Sequence, residues 1–215
     1  MSKILKIYKK LYNKFGQQKW WPISGKFRPK EFEICVGAIL TQNTNWKNVE
    51  KALNNLIKRK LIDAESISRT DIKKLQSMIR PSGFYKQKAK KLKAFAKFVY
   101  EYKGNFYKNI TKEELLNING IGHETADSIL LYACNKPYFV VDAYTKRIFS
   151  RLGMIDEKHK YEDIKFFFED NIKKDIKIYK EFHALIVELA KKYCKKIPEC
   201  KKCPIKDECK YKKEI

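Results

Sequence analysis

Apolar residues recur three and four positions apart through nearly every segment of the chain, while runs of strict alternation are short. A period near 3.6 marks amphipathic helices, so the pattern predicts an all-α fold. About nine or ten helices are expected, over residues 2–15, 31–41, 45–59, 70–79, 86–102, 111–117, 123–134, 142–152, 160–171 and 176–193. The punctuation agrees with these limits. Thr111 with Glu114 forms a capping box, Gly83 and Gly104 stand where helices should stop, Gly153 follows a helix as a C-cap would, and Pro81 and Pro137 mark breaks. No long repeat or low-complexity tract interrupts the pattern, and the one compositional shift is a tail rich in Cys and Lys after Tyr193.

With 215 residues and 44% apolar content, the chain can bury the core of one compact body or of two small lobes. No apolar run approaches the roughly 20 residues that span a bilayer. The opening stretch MSKILKIYKKLYNKFG also lacks the apolar block and cleavage site of a secretory signal, so a cytoplasmic, nucleoid-associated protein without membrane contact is expected. Charge sharpens this. Forty-eight Lys and Arg against 25 Asp and Glu leave a net charge of +23, a self-repulsion that a polyanionic partner would relieve. Nucleic acid is the leading partner. A coding bias toward Lys, Ile, Asn and Tyr is the plainer account of the same composition, and an anionic lipid surface is disfavoured because no Lys-bordered apolar helix face is spare from the core.

The candidate chemistry begins at Leu116-Asn117-Ile118-Asn119-Gly120-Ile121-Gly122-His123-Glu124-Thr125-Ala126, where a short helix turns into a longer one. Gly120 and Gly122 let the backbone approach a ligand closely, and the following helix presents unpaired N–H groups and its positive dipole end. Such a turn can seat a phosphate. Taken alone, it is equally an ordinary helix corner capped by Gly. Asp142 opens a later helix after the apolar run Phe139-Val140-Val141, and taken alone is a plain N-cap.

In combination, L-x-x-x-x-G-I-G-x-x-T-A and a V-V-D about twenty residues on resemble the helix-hairpin-helix DNA glycosylase superfamily of endonuclease III. Further matching stretches are Ala38-Ile39-Leu40-Thr41-Gln42-Asn43-Thr44, Ser82-Gly83-Phe84-Tyr85-Lys86-Gln87-Lys88-Ala89 and the Cys tail, so the resemblance covers nearly the whole chain. It implies two helical lobes, a six-helix lobe over residues 27–136 ending in the hairpin and a second formed by residues 1–26 and 137–215. Double-stranded DNA carrying a damaged base would lie across the cleft of a monomeric enzyme. Asp142 would be the catalytic carboxylate, stabilising the positive charge that builds on deoxyribose as the N-glycosidic bond breaks and orienting the attacking water. DNA contacts would come from Gly120, Gly122, His123, Thr125, Lys146 and Gln42, the last filling the space left by the flipped nucleotide.

The sequence departs from the family's bifunctional members at the lyase position. Those enzymes carry a Lys two residues after the second hairpin Gly, whose amine forms a Schiff base with the sugar. Here that residue is Glu124, which cannot form an imine, so a monofunctional glycosylase using water is expected. Trp20, Trp21 and Trp46 stand where the 3-methyladenine DNA glycosylase III branch is implied to sandwich its base, and a cationic alkylpurine would gain roughly 0.5 to 2 kcal/mol from such rings. Packing within the core is the alternative for all three. A bifunctional pyrimidine glycosylase and a DNA-binding module without catalysis are the rival functions; Glu124 argues against the first and Asp142 against the second.

Cys194, Cys200, Cys203 and Cys209 follow the spacing C-x5-C-x2-C-x5-C, and Cys35 and Cys134 sit singly in apolar helices, where they are expected in the core. Four thiolates on one tight loop suit a [4Fe-4S] cluster, as in the endonuclease III loop that the residues at 194–209 resemble; structural zinc is the alternative. The neighbouring Lys195, Lys196, Lys201, Lys202 and Lys206 would face phosphate or remain solvated. His159 is expected on the surface, and His183 to pack or to accept a local hydrogen bond.

Overall fold

The chain is all-α. A computed structural model describes residues 2–211; Met1 and residues 212–215, which the expected second lobe includes, lie outside the described residues. The α-helices among them are α1 (Lys3–Phe15), α2 (Lys30–Leu40), α3 (Trp46–Lys58), α4 (Ala64–Arg69), α5 (Ile72–Ile79), α6 (Tyr85–Glu101), α7 (Phe106–Asn109), α8 (Lys112–Leu116), α9 (His123–Ser128), α10 (Ala143–Arg151), α11 (Tyr161–Asn171) and α12 (Ile176–Lys192). Each helix expected from periodicity is present to within two residues at its start. The helix expected over 123–134, however, is α-helical only to Ser128 and continues as a π-helical turn over Ile129–Ala133, closed by the Cys134 N–H on the Ile129 carbonyl at 3.0 Å. Two helices escaped the periodicity. α4 and α7 are six and four residues long, each burying one apolar side chain, Ile67 and Phe106, so neither displays a full period.

The described residues divide into two compact units, Trp21–Asn135 and the residues on either side of it. The division falls at Trp20 rather than at residue 26, for a local reason. The Glu33 carboxylate, 2% exposed within α2, accepts the backbone N–H groups of Ser24 at 2.6 Å and Gly25 at 3.0 Å and so ties that loop to the hairpin-bearing unit.

In the Trp21–Asn135 unit, α2 runs through the centre with Phe32 to Leu40 buried throughout. It packs on α3, α6, α9 and the π-helical turn, while α4 and α5 close over α6. In the other unit α12 is central and packs on α1 and α10. Its core is aromatic: Phe139 stacks on Phe168 with centroids 4.3 Å apart, and Phe149, Tyr179 and Phe182 meet them edge-on. No helix among the described residues is long and apolar enough to cross a membrane.

Candidate active site

The hairpin is built from α8, the turn 117–122 and α9. Thr111 and Glu114 close the predicted capping box at the start of α8, and Leu115, Ile118, Ile121 and Ala126 are buried beneath the turn. Lys112 of α8 reaches Asp127 of α9 at 3.0 Å in a buried ion pair that fixes one helix against the other. The two glycines serve differently. Gly120 has φ +89°, and a Cβ there would lie 2.3 Å from the Lys91 side chain, so both conformation and space demand glycine. Gly122 has an ordinary φ of −96° with open space above it; its lack of a side chain leaves the start of α9 accessible. His123 and Glu124 are exposed in that first turn, and Thr125 is buried.

Gln42, a site residue expected from the sequence, meets the hairpin directly. Its Nε2 donates to the Gly120 carbonyl at 3.2 Å and to Thr125 Oγ1 at 2.9 Å, while its Oε1 accepts from Lys91 Nζ at 2.7 Å. It is not a solvated helix end. Lys88, buried in α6, holds the approach to Gln42 by donating to the carbonyls of Leu40 at 2.8 Å and Ser82 at 2.7 Å; burial, and then the charge of Lys91, push its amine down to about 8. The sequence reading missed Lys88 and Lys91 as site residues, since each is one Lys among many.

Asp142 lies in the other unit, as the N-cap of α10. Its Oδ1 accepts from the Thr145 backbone N–H at 2.7 Å and from Thr145 Oγ1 at 2.8 Å. Its Oδ2 faces His183 Nε2 of α12 at 3.6 Å, an ion-pair contact rather than a closed hydrogen bond. The extended segment leading to it is anchored from α11, with the Phe139 N–H on Glu169 at 2.8 Å and the Val141 N–H on the Tyr161 hydroxyl at 3.4 Å. The Asp142 side chain is 14% exposed. Burial pushes its carboxyl up, but His183 and the two Thr145 donors outweigh this and hold it below the ordinary carboxylate range, so it is ionised at neutral pH. Lys146 follows half-buried on α10.

The three tryptophans separate. Trp21 meets Trp46 at 5.5 Å and Tyr132 at 5.0 Å, both edge-on, over Gly37, where a Cβ would lie 3.2 Å from the Trp21 indole nitrogen. The Trp46 indole N–H is buried without a hydrogen-bond partner among the described residues. Tyr132 completes this cluster from the π-helical turn, and no sequence signal pointed to it. Trp20 instead belongs to the unit of Asp142 and packs edge-on against His183 at 5.6 Å. Trp20 and Trp21 are thus adjacent in sequence and packed in different units, Trp20 against α12 and Trp21 over Gly37.

The four tail cysteines follow α12, three of them bounding short 3-10 turns, and none forms a disulfide. Burial pushes the Cys203 thiol up to about 11, and Cys194, Cys209 and Cys200 act on it in the same direction. Among the described residues, no group of three or more thiol, imidazole or carboxylate side chains is drawn together tightly enough to hold a metal ion. The C-terminal half of α10 is bound to this loop. Arg147 donates twice to the Cys194 carbonyl at 3.0 and 2.8 Å, and Arg151 reaches Cys194 Sγ at 3.3 Å and the Lys195 carbonyl at 2.7 Å. Lys195 pairs with Glu199 at 2.6 Å, while Lys196, Lys201, Lys202 and Lys206 are exposed. Cys35 is buried as expected, and Cys134 is half-buried.

Residues 36–174 match the family model described as HhH-GPD superfamily base excision DNA repair protein. A protein of Methanocaldococcus jannaschii named among the DNA repair glycosylases, MJ1434, is 54% identical over 214 residues, spanning 96% of this chain and 95% of that protein. Among solved structures, the 3-methyladenine DNA glycosylase MagIII of H. pylori bound to 1,N6-ethenoadenine superposes with a TM-score of 0.74 at 32% identity, covering 87% of this chain and 97% of that one. A trapped endonuclease III–DNA covalent intermediate superposes with a TM-score of 0.82 at 19% identity over 98% of this chain and 97% of that one, a likeness of fold.

Proposed function

The chain belongs to the HhH-GPD superfamily of base excision DNA repair proteins and is a DNA-binding N-glycosylase, and from that premise we propose that it releases an alkylated purine such as 3-methyladenine by hydrolysis, without cutting the strand. The observation that carries this reading is Asp142, an ionised and nearly buried carboxylate at the start of α10, combined with Glu124 where a lyase would need an amine. Cleavage of the glycosidic bond leaves positive charge on the sugar. A fixed anion in a site with little water stabilises that charge and can align the attacking water. The hairpin would grip the strand through the open backbone at Gly122, His123 and the start of α9, with Gly120 and Thr125 shaping the turn and Lys146 adding charge. Half-buried Trp21 and Trp46, backed by buried Tyr132, would supply the aromatic surface for an electron-poor base. The likeness to MagIII supports the choice of an alkylated purine.

The four cysteines have the donor chemistry of an iron–sulfur site, with Arg151 set beside one sulfur, and in this reading Cys194, Cys200, Cys203 and Cys209 hold a [4Fe-4S] cluster of structural role. A brown protein with broad visible absorption is expected; a colourless anaerobic preparation containing zinc would count for a zinc site instead.

The test is a panel of duplexes, each with a single lesion, scored for base release and for strand breaks before and after alkali. Release of alkylpurine with breaks only after alkali supports the reading. Covalent trapping of the protein on DNA by borohydride would refute it.

A further inference from the structure

The imidazole that faces Asp142 has no part in the reaction as described so far. We propose that His183 is a positioning residue that holds the Oδ2 side of the Asp142 carboxylate and keeps that group anionic, an inference that rests on Asp142 being the catalytic carboxylate.

An N-cap needs one carboxylate oxygen, and Thr145 already supplies two donors to Oδ1. With that anchor alone the other oxygen can rotate or take up a proton. His183 supplies the second anchor: its side chain is 5% exposed, and Nε2 lies 3.6 Å from Oδ2. A buried histidine pointed at a carboxylate that capping has already satisfied does nothing further for α10, but it matters to a carboxylate that must stay charged beside a forming cation. Trp20 packs edge-on against the imidazole at 5.6 Å, and two residues before it the Gln18 N–H donates to Glu181 of α12 at 2.7 Å, tying this segment to the same helix.

Asp142 is the charged group facing His183 from α10. Other ionisable groups on the packed elements have separate engagements: Arg147 and Arg151 on the carbonyls after α12, Lys10 of α1 on Glu208, Tyr8 edge-on against Phe182, Glu181 on Gln18, and Lys191 over the Trp20 ring. The imidazole facing Oδ2 favours the ionised form of the carboxyl. Loss of the imidazole therefore raises the pH below which Asp142 protonates.

The experiment compares His183→Gln, His183→Phe and Asp142→Asn in single-turnover base release from methylated duplex DNA, from neutral pH down to the acid limit of the duplex, with DNA affinity and melting temperature measured alongside. His183→Phe, which keeps a ring against Trp20, should release base about tenfold more slowly with unchanged affinity. His183→Gln, which keeps a donor of similar reach, should recover much of the neutral rate. In both, activity should fall away on the acid side at a higher pH than in wild type. Rates that merely follow melting temperature with an unmoved acid limb, or wild-type behaviour in both variants, overturn the inference. If either result appears while Asp142→Asn is inactive, the role of Asp142 stands and only that of His183 falls; an active Asp142→Asn removes both.

Discussion

In the proposed reading Asp142 performs two tasks with one side chain, since Oδ1 caps α10 and Oδ2 is left for the chemistry. Asn caps a helix as well as Asp does, so Asp142→Asn should fold and bind DNA normally while base release drops about 100- to 10,000-fold, measured by single-turnover kinetics. The depressed carboxyl also carries a stability signature. A group whose folded value lies below its ordinary 3.8 stabilises the fold above that pH, and the contribution is lost as pH falls through the folded value. Acid unfolding followed by circular dichroism should therefore be steeper in wild type than in Asp142→Asn, and parallel curves would show that the carboxylate is not tied down as described. At the hairpin, Gly120→Ala must adopt φ +89° and displace Lys91, at a cost of about 1 kcal/mol or more. Lower DNA affinity is expected for that variant through the distorted turn, and for Gly122→Ala through a methyl group in the open approach to α9 with no loss of stability, both read by fluorescence anisotropy beside urea unfolding. Residues whose local role is written in their neighbours were visible in the sequence, Asp142 as an N-cap and Gly120 as a turn glycine; the chemistry expected of Asp142 came from the family resemblance alone. His183 was not, since a lone histidine on an apolar helix face looks the same whether it packs or pairs, and its partner lies 41 positions away.

At the scale of elements, the long helices were legible because each buries a stripe that repeats over several turns. α4 and α7 were not, and the π-helical turn could not be, since Ile129 to Ala133 are all buried and carry no face to read. That turn matters because it presents Tyr132 to Trp21. The hairpin shows how an element is held rigid. Lys112 and Asp127 are both buried, and removing one partner of such a pair leaves a charge stranded, at about 3 to 5 kcal/mol. Lys112→Met should thus lower urea stability by that order. Lys112→Met combined with Asp127→Leu should recover most of it, and a single variant within about 0.5 kcal/mol of wild type would show that the pair does not hold α8 to α9.

For the molecule as a whole, a charge of +23 makes DNA affinity a function of salt. The logarithm of affinity should fall linearly with the logarithm of salt, and replacing Lys201 or Lys202 by Ala should reduce that slope by about one unit if the side chain meets a phosphate. An unchanged slope would assign those lysines to solvent. Composition announced the partner class, and the G-I-G and V-V-D stretches announced the family. The division of the chain at Trp20 was hidden, because it depends on a buried Glu33 reaching back to Ser24 and Gly25 rather than on any linker composition.

α10 starts at the carboxylate proposed for the chemistry and ends in the grasp of the cysteine loop, a rigid spacer about 14 Å long. Damage at the far end, such as oxidation of a tail sulfur, therefore need not touch the DNA to be felt by the chemistry. It can loosen the two arginine clamps and let the whole bar shift, so that an enzyme still able to grip its strand would lose its turnover first.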